Sequence, residues 1–357
     1  MSDRVSARAD DAAYDVIIVG GSFAGLSVAM QLRGRRVLVL DQHPIGSHQM
    51  SSCGTPLPTA KAVGAEAAIL EEHPALVMHA GGREMSFPLR DPFVTFDYEK
   101  FCGAMLEQTD AEVRLARVTE LDGDVVETTK GPAKGRFIVD AAGWRSQRGR
   151  SLQPPRPVRR FGYGLETELP VRLDLSPGLH FYFEKDLMPN GYVWAFPCGE
   201  TVRLGLGSFE EGLRLRPRLE RFLERFGLRA GETRGGVLAI ERSEPLAEEM
   251  FVVGDAAGQC LPVTGEGIRA AIFHGVHCGR AIASALDGEL SSDEARDLYR
   301  EQVRGMDRFH ERLMKMQAVV ARTPEPLLAA AGRILARPAL THRLMGKYLV
   351  SSGYFLG

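Results

Sequence analysis

The sequence predicts an α/β fold with a discontinuous parallel sheet, an inserted antiparallel β-sheet and a helical C-terminal tail. A strand, a glycine-rich turn, a helix and a second strand follow one another over residues 14–41. Continuous apolar segments return much later, at residues 137–139 and 251–253, as expected for parallel strands that are buried on both faces. Between them, residues 160–239 alternate in polarity, which favours antiparallel strands.

The order of these segments predicts two interleaved domains. At 357 residues the chain is long enough for both. We expect a disordered N-terminus at 1–13, a first domain at 14–74, 97–153 and 245–290, a β-rich second domain at 75–96 and 154–244, and a C-terminal helical region at 291–357. The proline-rich segment 154–157 is expected to be a stiff linker, and Pro324, Pro326 and Pro338 are expected to interrupt the C-terminal helices.

Composition excludes several classes of protein. The formal net charge is only −2, so no overall field attracts nucleic acid or an anionic membrane. No run of about eighteen apolar residues is present, and no spanning helix is expected. The start of the chain is polar, and the five cysteines have no framework spacing. We therefore expect a cytoplasmic protein with free thiols.

The first motif is the glycine-rich turn Gly20-Gly21-Ser22-Phe23-Ala24-Gly25. Two glycines permit a tight turn and close packing of helix on strand, so that a pyrophosphate can bind at the helix N-terminus. Asp41 ends the second strand about twenty residues later, where an acid can accept hydrogen bonds from a ribose. The pattern predicts a Rossmann-type site for FAD or NAD, although Ser22 replaces the usual second glycine.

A second segment favours FAD. Gly254 and Asp255 follow a buried strand, and Gly265, Gly267 and Ile268 begin the next helix. The aspartate can bind the ribityl chain of a flavin, and the backbone N–H groups of the helix start can face the edge of the ring that becomes negative on reduction. An NAD dehydrogenase does not need this distant segment.

The two segments together resemble the flavoproteins that include para-hydroxybenzoate hydroxylase, flavin-dependent halogenases and geranylgeranyl reductases, over most of residues 14–290. By this resemblance residues 139–146 form a third flavin motif, in which Gly143 is a cofactor residue. The hydroxylases have Asp-Gly where this chain has Ala142-Gly143. Because that aspartate is associated with pyridine-nucleotide use, its absence disfavours an aromatic hydroxylase.

Tyr192, Trp194 and Phe196 alternate along a segment that ends in Pro197. Alternation places the three rings on one face of a strand, and this pattern alone is more typical of a sheet face packed on the core. Beside the flavin motifs, the segment resembles the Tyr-x-Trp-x-Phe-Pro signature of geranylgeranyl reductases, whereas halogenases have Trp-x-Trp-x-Ile-Pro. The resemblance implies that these rings bind an apolar substrate.

Three further features carry weaker predictions. Cys53-Gly54 resembles a flavin-proximal pair of the same reductases, which makes Cys53 a candidate catalytic residue; a small buried cysteine is the alternative. His274, His277 and Cys278 have metal-like spacing but no second ligand pair, so we expect no metal there. The arginine-rich tail is interpreted as a solvated helix face, with peripheral contact to a membrane as the alternative.

The resemblance implies an FAD-dependent reductase that saturates carbon–carbon double bonds of a prenyl-type or similarly apolar lipid substrate, as in isoprenoid lipid biosynthesis. NAD(P)H or another electron donor would act transiently, since we see no second complete dinucleotide motif. Two alternatives stay open. One is a flavin-dependent monooxygenase or halogenase that acts on an aromatic or natural-product substrate, and the other is a non-catalytic or redox-sensing flavoprotein.

Overall fold

The computed structural model describes residues 13–145 and 161–351. The expectations for residues 1–12, for the 154–157 linker and for residues 352–357 lie outside the described residues. The strands are β1 (Tyr14–Val19), β2 (Val37–Asp41), β3 (Gly54–Pro56), β4 (Ile69–Ala80), β5 (Arg83–Phe96), β6 (Glu112–Leu115), β7 (Val118–Asp122), β8 (Val125–Thr128), β9 (Ala133–Asp140), β10 (Phe161–Leu169), β11 (Leu179–Phe183), β12 (Gly191–Cys198), β13 (Thr201–Ser208), β14 (Thr233–Ala239), β15 (Leu246–Ala247) and β16 (Met250–Val252).

In the described residues the first helix follows β1 of the first sheet, and the last four helices form a C-terminal group. They are α1 (Phe23–Met30), α2 (Leu57–Ala62), α3 (Tyr98–Leu106), α4 (Leu215–Leu223), α5 (Ile268–Leu286), α6 (Ser292–Gly305), α7 (Asp307–Arg322), α8 (Glu325–Leu335) and α9 (Pro338–Ser351). None of those described helices is long and apolar enough to cross a membrane.

The first sheet has the strand order β15-β16-β9-β1-β2-β6, with β8 pairing β9 and β7 pairing β8. Strands β16, β9, β1, β2 and β6 run parallel. The central strands have consecutive buried residues, as in Val16 to Val19 of β1, because core side chains cover both faces of the sheet. The carboxyl ends of β1, β9 and β16 lie side by side, since Val19 pairs with Asp140 and Asp140 pairs with Val252. Loops that follow these three strands therefore converge.

The second sheet has the order β14-β10-β13-β12-β11-β4-β5-β3. Neighbouring strands are antiparallel except β4 and β11, which run parallel with Leu76 opposite Leu179. One face packs on α4 through residues such as Val193 and Phe222. The opposite face, which carries Trp194, looks into a cavity between the two sheets.

Several local expectations differ from the structure. The inserted sheet is not wholly antiparallel, because β4 and β11 belong to different parts of the chain and the direction of their pairing is not constrained by a hairpin. The Gly, Ser and Pro residues of segment 43–58 predict a loop, but this segment contains β3 and the start of α2. Pro326 does not interrupt a helix but lies in the first turn of α8, where its missing N–H costs no hydrogen bond.

Sheet membership also differs from the expected domain division. Residues 54–56 and 69–74 pair within the second sheet, although residues 14–74 were expected in the first domain. The two-domain division stays a prediction.

Candidate functional site

A cavity of about 1370 Å³ lies between the two sheets. It exceeds the roughly 300–1,000 Å³ of an ordinary small-molecule pocket. The lining begins at the glycine turn after β1, passes the loop before α5, and continues along the aromatic face of β12 to the C-terminal helices. One continuous space can therefore hold a dinucleotide and a second ligand beside it.

The glycine turn between β1 and α1 is packed too closely for side chains at two of its positions. Gly20 has φ of +108°, and a Cβ there would lie 2.3 Å from the carbonyl oxygen of Ala141. A Cβ on Gly25 would lie 1.9 Å from the carbonyl oxygen of Gly20. Neither position accepts a side chain without moving backbone. The N-terminus of α1 consequently faces the cavity, where its dipole favours an anion.

Ser22 occupies the place of the second glycine without strain. Its φ of −113° is open to any residue, and its hydroxyl is 2.9 Å from the Tyr98 hydroxyl. The side chain is thereby held toward α3, and Ser22, Phe23 and Ala24 all line the cavity. Phe23 is fixed by edge-to-face contacts with Tyr98 and Phe101. The substitution of serine for glycine is therefore compatible with a dinucleotide.

Asp41 organises the far side of the same turn. Its two carboxylate oxygens accept hydrogen bonds from the backbone N–H groups of Gly21, at 2.8 Å, and His43, at 2.9 Å. Each oxygen keeps further acceptor capacity, and Asp41 lines the cavity. The arrangement fits the hydroxyl groups of an adenosine ribose.

The second predicted segment meets this turn from the opposite side. Gly254 and Asp255 form a short 3-10 helix after β16, and Gly267 precedes α5. All three line the cavity with Gly265 and Ile268. Burial raises the pKa of Asp255 to about 7, since a carboxylate is poorly solvated there. The chain thus places a desolvated acid beside the start of a nineteen-residue helix.

The loop between Asp255 and Gly267 contains strained backbone. Val263 has φ of +68°, which is a strong outlier for a β-branched residue. Its N–H donates to the Gln317 side chain of α7 at 3.0 Å, and the Tyr192 hydroxyl donates to the carbonyl of Thr264 at 2.7 Å. The loop is held from two sides in a conformation it would not adopt alone.

The third predicted segment follows β9. Gly143 begins a 3-10 turn with φ of +73° and lines the cavity with Ala142 and Trp144. Among the described residues, no atom apart from those of its two chain neighbours lies within 4 Å of the place where a Cβ on Gly143 would be. In the described part of the chain, Gly143 therefore borders the cavity without a side chain packed on it.

The aromatic rings of β12 form one wall of the cavity. Tyr192, Trp194 and Phe196 all line it, and each contacts the next ring at a centroid distance of 6.1 or 6.3 Å. Phe181 packs against Tyr192 and Phe196 from β11. With Leu179 nearby, this wall is suited to an elongated apolar chain rather than to a polar substrate.

Trp194 is positioned by features that sequence analysis did not identify. Its indole lies on Gly205 of β13, where an added Cβ would be 2.4 Å from ring carbons. Its Nε1–H donates to Glu166 at 2.8 Å, and Glu166 also accepts from the Arg234 guanidinium at 3.0 Å. Glycines alternating along β13 were the available signal, because glycine in a strand often marks a close approach. No pattern in the sequence pointed to Glu166 or Arg234.

Cys53 lies behind the wall and not on it. Ser52 and Gly54 line the cavity, whereas the Cys53 side chain is fully buried in a core cluster with Phe96. Its φ is +56°, and its thiol donates to the carbonyl of Ser51. Burial raises the pKa of the thiol despite the nearby Arg203, so the thiolate is disfavoured. The catalytic role of Cys53 stays a prediction that this placement does not favour.

Two of the three residues with metal-like spacing are as deeply buried as Cys53. His274 and Cys278 are fully buried in α5, and the Arg242 guanidinium lies 3.4 Å from the His274 ring. Burial and that cation lower the pKa of His274. A metal ion would be repelled by the same positive charge.

One end of the cavity reaches the C-terminal helices. Met316, Leu335 and Leu344 line it and are also partly exposed to solvent. Tyr348 of α9 closes the side near the Thr264 loop, where its hydroxyl donates to Glu266 at 2.6 Å. Apolar side chains therefore line this end of the cavity, and Tyr348 fixes its inner edge by a hydrogen bond to Glu266 in the loop before α5.

No family model matches the chain. Individual proteins of known function are nevertheless similar to it over most of its length. The digeranylgeranylglycerophospholipid reductase of Thermoplasma volcanium is 26% identical over 349 residues, with 85% of each chain covered. The digeranylgeranylglycerophospholipid reductase 2 of Methanothermobacter thermautotrophicus is 28% identical over 310 residues, which cover 77% of this chain and 79% of that protein.

Two solved structures share the fold. A geranylgeranyl bacteriochlorophyll reductase-like protein of Thermoplasma acidophilum gives a TM-score of 0.81 at 21% identity, covering 91% of this chain and 92% of the other. A flavin-dependent brominase gives 0.67 at 18% identity, covering 95% and 100%. The glycine-rich and acidic segments that the sequence assigned to a flavin lie along one cavity. Over most of its length the chain is similar to digeranylgeranylglycerophospholipid reductases, and it shares its fold with flavin-dependent proteins.

Proposed function

We propose that this protein saturates isolated carbon–carbon double bonds in the prenyl chains of a lipid, with FAD as its redox cofactor. The observation that carries the proposal is the continuous cavity, which runs from the glycine turn and Asp255 to the aromatic wall of β12. The relatives named as digeranylgeranylglycerophospholipid reductases support a substrate of this class.

The residues present fit FAD. Asp41 would hold the adenosine ribose, and the turn at Gly20 and Gly25 would hold the pyrophosphate. Asp255 would bind the ribityl chain, which gives its desolvated carboxyl group hydrogen-bond donors. Gly265, Gly267 and Ile268 would lie along the flavin ring near the N-terminus of α5. Gly143, which lines the cavity after β9, would border the cofactor from that side.

Reduced FAD, when bound, supplies a hydride to one carbon of the double bond, and the other carbon receives a proton from water or an acid. An isolated alkene accepts hydride poorly, so orientation and exclusion of bulk water must contribute much of the rate. Tyr192, Trp194 and Phe196 would orient the chain by apolar contact. The Tyr192 hydroxyl is bonded to Thr264, so this ring would hold the substrate wall against the loop that carries Gly265.

The proposal extends to the electron donor of the flavin and to contact with a membrane surface. NAD(P)H or another donor would reduce the flavin transiently. For the membrane, α7 to α9 expose Val319, Leu327 and Ile334, with fractional exposures of 63%, 59% and 55%. Residues 322–351 contain five Lys or Arg and one acid. Apolar side chains with basic neighbours suit an anionic membrane surface, and Met316, Leu335 and Leu344 of the same helices line the cavity.

Product analysis tests the reaction. The FAD-loaded protein is reduced with dithionite under anaerobic conditions and incubated with a geranylgeranyl lipid, and the product is examined by mass spectrometry. We expect a gain of two hydrogens for each bond saturated. A parallel incubation in air, with aromatic substrates and halide present, tests the alternative. Oxygenated or halogenated product there, with no saturated lipid in the anaerobic reaction, would contradict the proposal.

A further inference from the structure

Three potential metal ligands meet on the face of the second sheet that is turned away from the cavity. His79 lies on β4, Glu84 on β5 and His180 on β11, and one ligand atom of each lies within 4.8 Å of the other two. His79 is paired directly opposite Glu84 across the β4–β5 hairpin. The adjacent residues Met78 and Phe181 line the cavity, so strand alternation turns both histidines to the opposite face.

The two imidazole rings are already arranged as ligands. The Nε2 atom of His79 and the Nδ1 atom of His180 are 2.9 Å apart. The Nε2 atom of His180 lies 2.7 Å from the carbonyl oxygen of Ser176. A carbonyl only accepts, so His180 carries its proton on Nε2. The Nδ1 atom of His180 therefore accepts a hydrogen bond from the Nε2–H group of His79. On binding an ion, His79 would carry its proton on Nδ1 instead, which leaves His79 Nε2 and His180 Nδ1 as ligand atoms.

Ser176 orients the third ligand as well. Its hydroxyl donates to a carboxylate oxygen of Glu84 at 2.8 Å, while its carbonyl fixes His180. The ring of Tyr182 stacks on His79 at 4.1 Å and limits its rotation. Hydrogen bonds of this kind, from a backbone carbonyl or a hydroxyl to the ligands, usually accompany metal sites in proteins.

Charge and access also suit a cation. His79 is half-buried and His180 is buried, so their surroundings hold both rings in place. Glu84 supplies a negative charge and is exposed to solvent. A hydrogen-bonded histidine pair without a metal would explain the 2.9 Å contact. It would not explain why one serine orients both His180 and Glu84 toward a common point.

We propose that His79 Nε2, His180 Nδ1 and a carboxylate oxygen of Glu84 bind a divalent transition-metal ion of the Zn²⁺ class, with water as a further ligand. Two imidazoles and one carboxylate are typical ligands for Zn²⁺, at bond lengths of about 2.0–2.2 Å. Around such an ion the ligand atoms lie about 3.3 Å apart, which the exposed Glu84 side chain reaches by a small rotation. The inference does not depend on the proposed reaction.

The ion would tie together segments that are distant in the sequence. It would join the β4–β5 hairpin to β11, where β4 and β11 form the parallel pair of the second sheet. Met78 and Phe181 lie on the other face of these strands, in the substrate wall. The role of the ion would thus be to stabilise this wall from behind. The metal-like residues considered from the sequence, His274, His277 and Cys278, take no part.

The test is Zn²⁺ binding to metal-stripped, FAD-loaded protein, measured by competition with a chromogenic chelator. We expect one competing site per chain, and a loss of affinity of at least about tenfold in both His79→Ala and Glu84→Gln. Neither side chain is fully buried, so both variants should fold, which circular dichroism and FAD content check. His277→Ala and Glu72→Gln, of matching chemistry elsewhere, should bind as the unaltered protein does.

A second measurement uses stability. Zn²⁺ should raise the Tm of the unaltered protein, and of the two control variants, by linkage, and it should leave the Tm of Glu84→Gln unchanged. Absence of stoichiometric binding by the unaltered protein would overturn the proposal. So would unchanged affinity in both His79→Ala and Glu84→Gln, because the ion would then lie elsewhere. FAD content and lipid reduction are separate readouts, so failure here leaves the proposed function standing.

Discussion

At the scale of single residues, Asp41 tests how the dinucleotide is held. We expect Asp41→Ala to weaken FAD binding by about 1.5–3 kcal/mol, since hydrogen bonds to a charged group are lost. The carboxylate also fixes the turn through Gly21 and His43, so part of the loss reflects a less ordered turn. Affinity is measured by quenching of flavin fluorescence.

The matched control is Asp15→Ala. Asp15 also accepts a hydrogen bond from backbone, the N–H of Arg36 at 2.9 Å, but it lies at the opposite end of β1. The substitution Asp15→Ala removes one negative charge, as Asp41→Ala does, from the same strand–helix–strand unit. Equal FAD affinity in Asp41→Ala and Asp15→Ala would mean that the ribose is bound elsewhere.

Asp255 gives a prediction for pH. Burial raises its pKa from 3.8 to about 7 in the folded protein. Between about pH 4 and 7 the unfolded chain therefore binds fewer protons at this residue than the folded protein does, and folding stability contributed by Asp255 falls as pH rises. Below that interval both states are protonated, and above it both are charged, so the contribution is constant.

The measurement compares FAD-free protein with its Asp255→Asn variant by urea unfolding at about pH 4.5 and about pH 7.5. The free energy of unfolding of the unaltered protein should fall between the two pH values relative to that of the variant. Titration of the buried histidines cancels in this comparison. A difference that is the same at both pH values would show that Asp255 is not desolvated in the folded state.

At the scale of elements, the two faces of the second sheet should respond differently to truncation. Trp194 of β12 faces the cavity, whereas Phe222 of α4 is fully buried against the other face. In Trp194→Ala we expect kcat/KM for a prenyl lipid to fall at least about tenfold, or about 1.4 kcal/mol, with the FAD spectrum unchanged. In Phe222→Ala we expect the unfolding free energy to fall by about 3–5 kcal/mol.

Turnover per folded, flavin-loaded molecule separates the two effects. Phe222→Ala should retain it below its lowered melting temperature. A Trp194→Ala protein with full reductase activity would contradict the assignment of β12 to the substrate wall. Tyr192 and Phe196 would then also have to be reassigned to packing alone.

The same elements show what the sequence could and could not predict. The central parallel strands were predictable because burial on both faces leaves a continuous apolar run, as at Val16 to Val19. Helix α2 was not predicted, because Pro56 and Pro58 indicate a loop, yet proline is tolerated in the first turn of a helix. The parallel pairing of β4 with β11 was missed because alternation carries no information on strand direction.

The candidate site was predictable in part for a related reason. Glycine turns and the acids Asp41 and Asp255 have fixed places relative to strands, so their sequence positions carry geometry. Glu166 and Arg234 lie on β10 and β14 and meet Trp194 only through the order of strands in the sheet. Long-range pairing of this kind leaves no local pattern. The roles of the predicted site residues stay predictions until they are tested.

At the scale of the whole molecule, the exposed apolar side chains of the C-terminal helices should bind membranes. We expect the protein to sediment with vesicles that contain anionic lipid and to be released by high salt, because basic residues contribute to the attraction. The double variant Leu327→Ser, Ile334→Ser should bind at least about tenfold less, since both side chains are more than half exposed.

The control for this surface is Leu70→Ser with Leu115→Ser. These two side chains are also exposed, at 39% and 48%, but they lie on β4 and at the end of β6. They should leave vesicle binding unchanged. Equal sedimentation of both double variants and the unaltered protein would place membrane contact outside α8.

The central claim is that one cavity holds a flavin and a prenyl chain in direct contact. It is tested most directly by reducing the FAD-loaded protein without oxygen, mixing it with a geranylgeranyl lipid, and following flavin absorbance and lipid saturation in the same sample. Flavin oxidation that matches the double bonds lost, and that a fully saturated lipid does not produce, is the predicted result. Reduced flavin that persists with the unsaturated lipid and is oxidised only when oxygen enters would contradict the claim.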